Sequence, residues 1–349
     1  MRLEGVLAPN VFLQRHSVRL FDGIVDGAES VVVDKDQAVM WMLDRFGNVW
    51  RAERVPTPPH PEEPAAGSQY ALEQAPFTHL GPGRPLGAAL DANGDLLVCD
   101  SLKGLLKVET GTAPGSQARR ITILTSRVSG ASRLDPGSPI TYANDLDVHP
   151  DGTVYFTASQ DISVGVSADG SFWDTLASYM TGLYAGAFTG RLLSYTPSTG
   201  VTQVLATGFW FSNGVALAAD ASYVAFVETN RMRVMRYWLK GDKTGSVDVL
   251  IDRLPGFPDG ISRAPDGSFW VALVSRPSPV LKYLRYRLVR TILSQLPPQL
   301  NIRPPAWGAV IKRVPIPRRV IPFPGWGTMH PSCPPVGPAP ACLSPATLM

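Results

Sequence analysis

At 349 residues, with 44% hydrophobic and 17% charged residues, the chain has the composition of an ordinary globular protein, which excludes wholesale disorder. A net charge of +3, with no basic run or interleaved aromatic patch, gives no case for a nucleic-acid partner. Three cysteines (Cys99, Cys333, Cys342) cannot build a disulfide framework, and no stretch of about 20 apolar residues exists to span a membrane.

In chain order, the first 15 residues read as an N-terminal extension. MRLEGVLAPNVFLQRH has no long apolar core of the signal-peptide kind. The run SVRLF that follows predicts one strand of a closing blade. A repeat then begins: a distinctive residue, an alternating apolar strand, an Asp or Asn turn seven residues later, and a second apolar strand. Its copies are Glu29-SVVVDK-Asp36, Leu86-GAALDA-Asn93, Asn144-DLDVHP-Asp151, Asn213-GVALAA-Asp220 and Asp259-GISRAP-Asp266. The returning strands are VMWML, LLVCD, VYFTA, YVAFVE and SFWVAL. Each copy predicts a hairpin closed by a turn that accepts positive φ. Further strands such as GLLKVET and GRLLSYTP bring each unit to three or four, the content of a propeller blade.

Successive distinctive positions lie 57, 58, 69 and 46 residues apart, which is blade-sized. The 69-residue step holds an insertion at 171–188 whose apolar residues Phe172, Leu176, Tyr179, Met180 and Leu183 recur at helical spacing. Cys99, inside LLVCD, reads as a buried thiol.

A second helix is predicted at 280–296, apolar at Leu281, Leu284, Leu288, Val289, Ile292, Leu293 and Leu296. Lys282, Arg285, Arg287 and Arg290 lie on its other faces. Two readings stay open for it: a helix packed on the propeller with a solvated basic side, or a peripheral membrane contact. A sixth blade is expected near 310–330, but the segment there is proline-rich, without alternation or a turn signal. The expected architecture is all-β, a six-bladed β-propeller with helical insertions and an incomplete last blade. Its domain spans 16–312, and residues 313–349 form a disordered tail.

The inner strands of a propeller aim residues of one register at a common axial point. Here that register carries Glu29, Leu86, Asn144, Asn213 and Asp259. Asn213-Gly214 or Asp259-Gly260 alone would be an ordinary turn, but a register shared across blades is not required by turn chemistry. Four oxygen-bearing side chains, two of them carboxylates, suit Ca²⁺. No histidine (16, 60, 79, 149, 330) or cysteine occupies the register, which disfavours zinc.

The segments YANDLDVHPDGTVYFT, GRLLSYTPSTG, GFWFSNGVALAADASYVAFVETNRMRVMRYWLKG and LPGFPDGISRAPDGSFWVAL resemble the strictosidine synthase-like family, and RPLGAALDANGDLLVCDSLKGLLKV extends the likeness. The wider superfamily includes gluconolactonase/regucalcin, diisopropyl fluorophosphatase and the paraoxonases, which hold a catalytic calcium with a Glu, two Asn and an Asp. Motif by motif, the resemblance implies Glu29, Asn144, Asn213 and Asp259 as metal ligands. Asp259 would also serve as nucleophile or general base, with Asp145 orienting a ligand or water behind them. It further implies a small-molecule substrate and residence in the secretory or endomembrane system.

The function expected is a calcium-dependent, arylesterase-like hydrolase of esters or lactones. Two alternatives remain: Pictet–Spengler condensation of an amine with an aldehyde, and a non-catalytic scaffold or inactive truncated product. The chain departs from its subgroup in having FPDG, with Gly260, for FPDN. It also has no counterpart of the sixth-blade glutamate of strictosidine synthase, and no histidine matching the paraoxonase base.

Overall fold

Each hairpin of the repeat folds as the first two strands of an antiparallel sheet. The computed structural model describes residues 20–55, 70–111, 120–277, 283–284, 286–295 and 306–313. The first sheet contains β1 (Val31–Val33), β2 (Val39–Leu43), β3 (Asn48–Arg54) and β4 (Tyr70–Leu72), with β5 (Thr78–His79) also paired to β3. The second runs β6 (Pro85–Leu90), β7 (Leu96–Asp100), β8 (Gly104–Val108) and β9 (Ile121–Thr125).

In the third, β10 (Ala143–Val148) and β11 (Val154–Ala158) are followed by a small hairpin, β12 (Gly165–Val166) and β13 (Trp173–Asp174). The helix Thr175–Ala185 comes next, and β14 (Gly190–Thr196) and β15 (Val201–Phe209) then complete the sheet. The fourth is β16 (Ser212–Leu217), β17 (Tyr223–Glu228), β18 (Arg233–Trp238) and β19 (Val247–Ile251). The fifth is β20 (Phe257–Arg263), β21 (Phe269–Ser275) and β22 (Ala306–Arg313). These are meanders in blade order, so the chain is all-β and bladed with a helical insertion, as the repeat predicts.

The described residues fall into two compact units. Of these, residues 20–182 and 187–215 belong to the larger, and residues 183–186 and those from 216 onward to the smaller. In the larger unit the period of two along each strand feeds two cores. Leu96 and Val98 of β7 pack with Trp41, Leu43 and Val49 of the first sheet. Their neighbours Leu97 and Cys99 pack with Leu146, Phe156 and Leu193 of the third. Both faces of β7 are therefore buried, which is why LLVCD reads as a continuous apolar run. Cys99 is fully buried, and that burial pushes its thiol well above the usual range. In the smaller unit Ala225, Val227, Ile261, Phe269 and Val271 form the core.

The insertion folds as a helix over Thr175–Ala185, so Phe172 falls before it, and Leu176 of the predicted stripe is exposed. Asp174 caps the helix by accepting the Ala177 amide at 2.9 Å, and Met180, Leu183 and Tyr184 are buried. Three expectations need correction or limits. The second helix spans Arg287–Ser294 rather than 280–296, because Tyr286 before it is extended (φ −88°, ψ 123°). Phe21, at the end of SVRLF, sits in a turn at φ 58° rather than in a strand. The proposed tail lies outside the described residues except for its first position, since Arg313 ends β22 as the outer strand of the fifth sheet.

Candidate functional site

The distinctive register coincides with a repeated backbone irregularity. In β6, Pro85 pairs with Asp100 and Ala88 with Val98; in β10, Ala143 pairs with Ala158 and Leu146 with Phe156. In β20, Pro258 pairs with Leu273 and Ile261 with Val271. Three steps on the inner strand thus oppose two on its neighbour, a bulge that contains Leu86, Asn144 or Asp259. Bulges of this kind re-aim a side chain and cluster beside functional sites.

Two residues ahead of the register the backbone is left-handed in three blades, at Gly27 (φ 60°), Tyr142 (φ 53°) and Phe211 (φ 68°). Glycine takes this conformation freely. For the two aromatic residues it costs on the order of 1 kcal/mol each, strain that the surrounding structure must hold in place.

Within the larger unit the register ends of the inner strands lie in succession. Ser30 Oγ accepts the Ala88 amide at 3.2 Å, joining the segment after Glu29 to β6. Gly87 then abuts β10: a Cβ there would lie 2.4 Å from Asp145 Oδ1 and 2.7 Å from the Asn144 carbonyl. Asn144 Nδ2 donates to Ser159 Oγ at 2.9 Å, and that hydroxyl donates to the Ser212 carbonyl at 2.7 Å. Thr157 Oγ1 donates to the Asn213 carbonyl at 2.7 Å, while Asp145 Oδ2 accepts the Val215 amide at 2.8 Å. Glu29, Asn144, Asp145 and Asn213 are thereby drawn into one neighbourhood, and Asn144 is oriented with its amide nitrogen committed to Ser159.

The electrostatics of this neighbourhood are those of carboxylates short of a counter-charge. Glu29 has much protein around it, yet 37% of its side chain remains accessible. Burial raises its pKa, and Arg84 Nη2, 3.7 Å from Oε2, offsets part of that rise. Asp145 is pushed up to about 7, chiefly by burial; the Val215 and Leu146 amides pull it down, while the charges of Asp147 and Glu29 add to the rise. Arg84 is itself buried, donating from Nη2 to the Gly27 carbonyl at 2.9 Å, so it holds the loop that carries Glu29. Desolvation lowers its pKa.

Among the described residues no three His, Cys, Asp or Glu side chains are grouped to hold a metal. The register residues of this neighbourhood are instead one carboxylate, Glu29, and two carboxamides, Asn144 and Asn213, with the Asn144 nitrogen engaged by Ser159. That set fits a hard cation such as calcium, and added positive charge would relieve the desolvated carboxylates.

Leu86, the apolar member of the register, packs with Tyr142, Val164 and Phe211, and Leu102, Trp173 and Tyr179 lie against this cluster. The Phe211 ring meets Tyr179 at 4.8 Å and Tyr142 at 5.3 Å, both edge-on. An aromatic wall therefore flanks the polar cluster. Asp259 belongs to the smaller unit, half-buried on β20. Beside it Gly260 is exposed, with nothing within 4 Å of a built Cβ, so the FPDG departure leaves open space where the subgroup has a side chain.

Arg84, Thr157 and Ser159 were not singled out by the repeat. Their signals were present: a cation heading an otherwise apolar strand in RPLGAAL, and hydroxyls at alternate positions of VYFTAS.

Comparison with known proteins places these features. The strictosidine synthase family profile matches residues 144–242, which include Asn144, Asp145 and Asn213. The chain is 33% identical over 280 residues to strictosidine synthase-like protein 13 of Arabidopsis thaliana, covering 79% of this chain and 62% of that protein. It is 31% identical over 284 residues to the adipocyte plasma membrane-associated protein of Rattus norvegicus, covering 81% of this chain and 68% of that one. Among solved structures, a gluconolactonase from Xanthomonas campestris shares the fold at a TM-score of 0.50 and 17% identity, over 71% of this chain and 70% of that chain.

Proposed function

This chain belongs to the strictosidine synthase-like family, which includes the adipocyte plasma membrane-associated proteins, and we propose that it is a calcium-dependent hydrolase of esters or lactones. The observation that carries this reading is the gathering of Glu29, Asn144 and Asn213 at the register end of the inner strands, with Glu29 and the neighbouring Asp145 raised in pKa by burial. Glu29, Asn144 and Asn213 would hold the ion through oxygen. When bound, calcium would polarise the substrate carbonyl as a Lewis acid.

The protein's own groups perform the rest. Leu86, Tyr142 and Phe211 pack as a buried apolar layer beside the polar cluster and keep water from that side of it. Asp145, titrating near neutrality with Oδ2 engaged by Val215, can hold or release a proton at Oδ1. Arg84 steadies the Glu29 loop through the Gly27 carbonyl. From its place in the sequence register, Asp259 is proposed as nucleophile or general base. Residence in the secretory or endomembrane system is proposed from the family likeness, and no described helix is long and apolar enough to cross a membrane.

The test is turnover of phenyl acetate and of a small γ-lactone in calcium and then in chelator. The reading expects hydrolysis that needs calcium and falls at least roughly 100-fold in Asp259→Asn. Full calcium-dependent turnover in that variant would remove Asp259 from its role. Metal-independent condensation of tryptamine with an aldehyde would favour the synthase reading instead.

A further inference from the structure

The helix Arg287–Ser294 is seated the wrong way round for a helix that only packs on its own unit. Arg290 faces inward, Nε donating to the Tyr184 carbonyl at 3.1 Å and Nη1 to the Leu284 carbonyl at 2.7 Å. Leu284 beside it is buried. The apolar residues Leu288 and Ile292, one turn apart, are 71% and 55% exposed, and Tyr286 and Tyr283 are half exposed just before them. An amphipathic helix ordinarily buries its aliphatic stripe and solvates its arginines; here a half-buried, hydrogen-bonded arginine fixes the helix while Leu288, Ile292 and two tyrosines face out.

The sequence around it is as one-sided in charge as the helix is in polarity. Residues 267–349 contain ten Lys and Arg and no Asp or Glu, so the preceding 266 residues carry a net charge of −7 while the whole chain is +3. Exposed aliphatic residues bordered by tyrosines in an acid-free cationic stretch are the composition of a helix that lies in the plane of an anionic lipid surface. A second copy of the same face would bring like charges together. A nucleic acid would leave Leu288 and Ile292 without a use.

We propose that the outward face of the Arg287–Ser294 helix, Tyr283, Tyr286, Leu288 and Ile292, docks peripherally on an anionic lipid bilayer. The aliphatic pair enters the headgroup boundary, and the exposed Arg287 meets the lipid phosphates and carboxylates. Because Arg290 is committed to the Tyr184 and Leu284 carbonyls, it orients the helix rather than meeting lipid, while Arg287 is exposed and available. This docking is independent of the hydrolase reading, since none of its residues belongs to the register.

The experiment is co-sedimentation of the full chain with vesicles of phosphatidylcholine alone and with about 30% phosphatidylserine. The expected result is partitioning onto the anionic vesicles at least roughly tenfold stronger than onto neutral ones, weakening as salt rises. The Leu288→Ser/Ile292→Ser pair should lose roughly tenfold of that binding with an unchanged thermal midpoint, because both side chains are already exposed. Arg287→Glu should weaken it further and leave any esterase turnover intact. Equal binding by the double variant, equal binding to neutral vesicles, or no binding to either would overturn the proposal. Wild-type self-association that the double variant abolishes would assign the face to protein contact and overturn it as well.

Discussion

The two ends of each inner strand carry the same residue types and use them in opposite ways. At the turn end, Asp91 Oδ1 accepts the amides of Asn93 and Asp95 at 2.8 and 3.0 Å, Asp151 accepts that of Thr153 at 2.8 Å, and Asp220 that of Ser222 at 3.0 Å. These are local turns, closed within four residues and open to water. The Ser222 hydroxyl and amide hold Asp220 below the usual carboxylate range. At Asp91 burial pulls upward but is outweighed by Lys107 and the turn amides.

At the bulged end, Asp145 reaches 70 residues along the chain to Val215 and is pushed up to about 7, and Glu29 is raised as well. Turn carboxylates are stabilised as anions by nearby amides. Glu29 and Asp145 are desolvated without enough positive charge to match, which is a reason to expect a cation there rather than a merely structural role.

The sharpest way to break this contrast is a pair of glycine substitutions. Gly87→Ala would drive a Cβ to 2.5 Å from Asp145 Cα, a backbone contact that cannot yield, so a loss of about 3 kcal/mol is expected by urea unfolding. Gly94→Ala at the turn end meets open space and carries only the cost of φ 81°, about 1 kcal/mol. Equal losses would mean the strand ends are not packed differently.

The pH dependence comes next. The folded pKa of Asp145 lies above its unfolded value of 3.8, so the folded chain keeps a proton that the unfolded chain loses. Its stabilising effect is complete below about pH 4 and is lost as pH rises through about 7. Solvent contact reduces the roughly 4 kcal/mol that such a shift carries to about 2 kcal/mol. In chelator, wild type should therefore lose about 2 kcal/mol more than Asp145→Asn between pH 5 and 7.5. Parallel profiles would show that Asp145 is already ionised at the lower pH.

Thr157→Val keeps the shape but removes the hydroxyl that serves the Asn213 carbonyl, for an expected loss of about 1.5 kcal/mol on unfolding in urea. Asp151→Ala at the turn end, where His149 and the Thr153 amide are the partners, should cost only about 0.5 kcal/mol and leave calcium binding untouched.

Much of this was legible in the residues. The seven-residue spacing from register to turn located all five inner hairpins, because a strand of fixed length between a bulge and a tight turn leaves a periodic trace. The buried Cys99 and the insertion helix were legible for the same reason, through alternation in LLVCD and the spacing of Tyr179, Met180 and Leu183. What did not show was whatever depends on contacts between distant segments. Arg84 is informative only because Gly27 and Glu29 lie beside it, 57 and 55 residues away in sequence. The inward Arg290 reverses the expected orientation of its helix because it finds carbonyls on Tyr184 and Leu284, which no periodicity reveals. β22 was missed because it returns to β21 only after a long insertion.

The central claim is that the register end of the inner strands forms a cation site, and thermal unfolding in excess calcium and then in chelator tests it most directly. Calcium at about 100 times its dissociation constant should add roughly 2.7 kcal/mol, raising the midpoint by several degrees in wild type and not in Asn213→Ala. A midpoint that calcium does not move, or moves equally in that variant, would contradict the account.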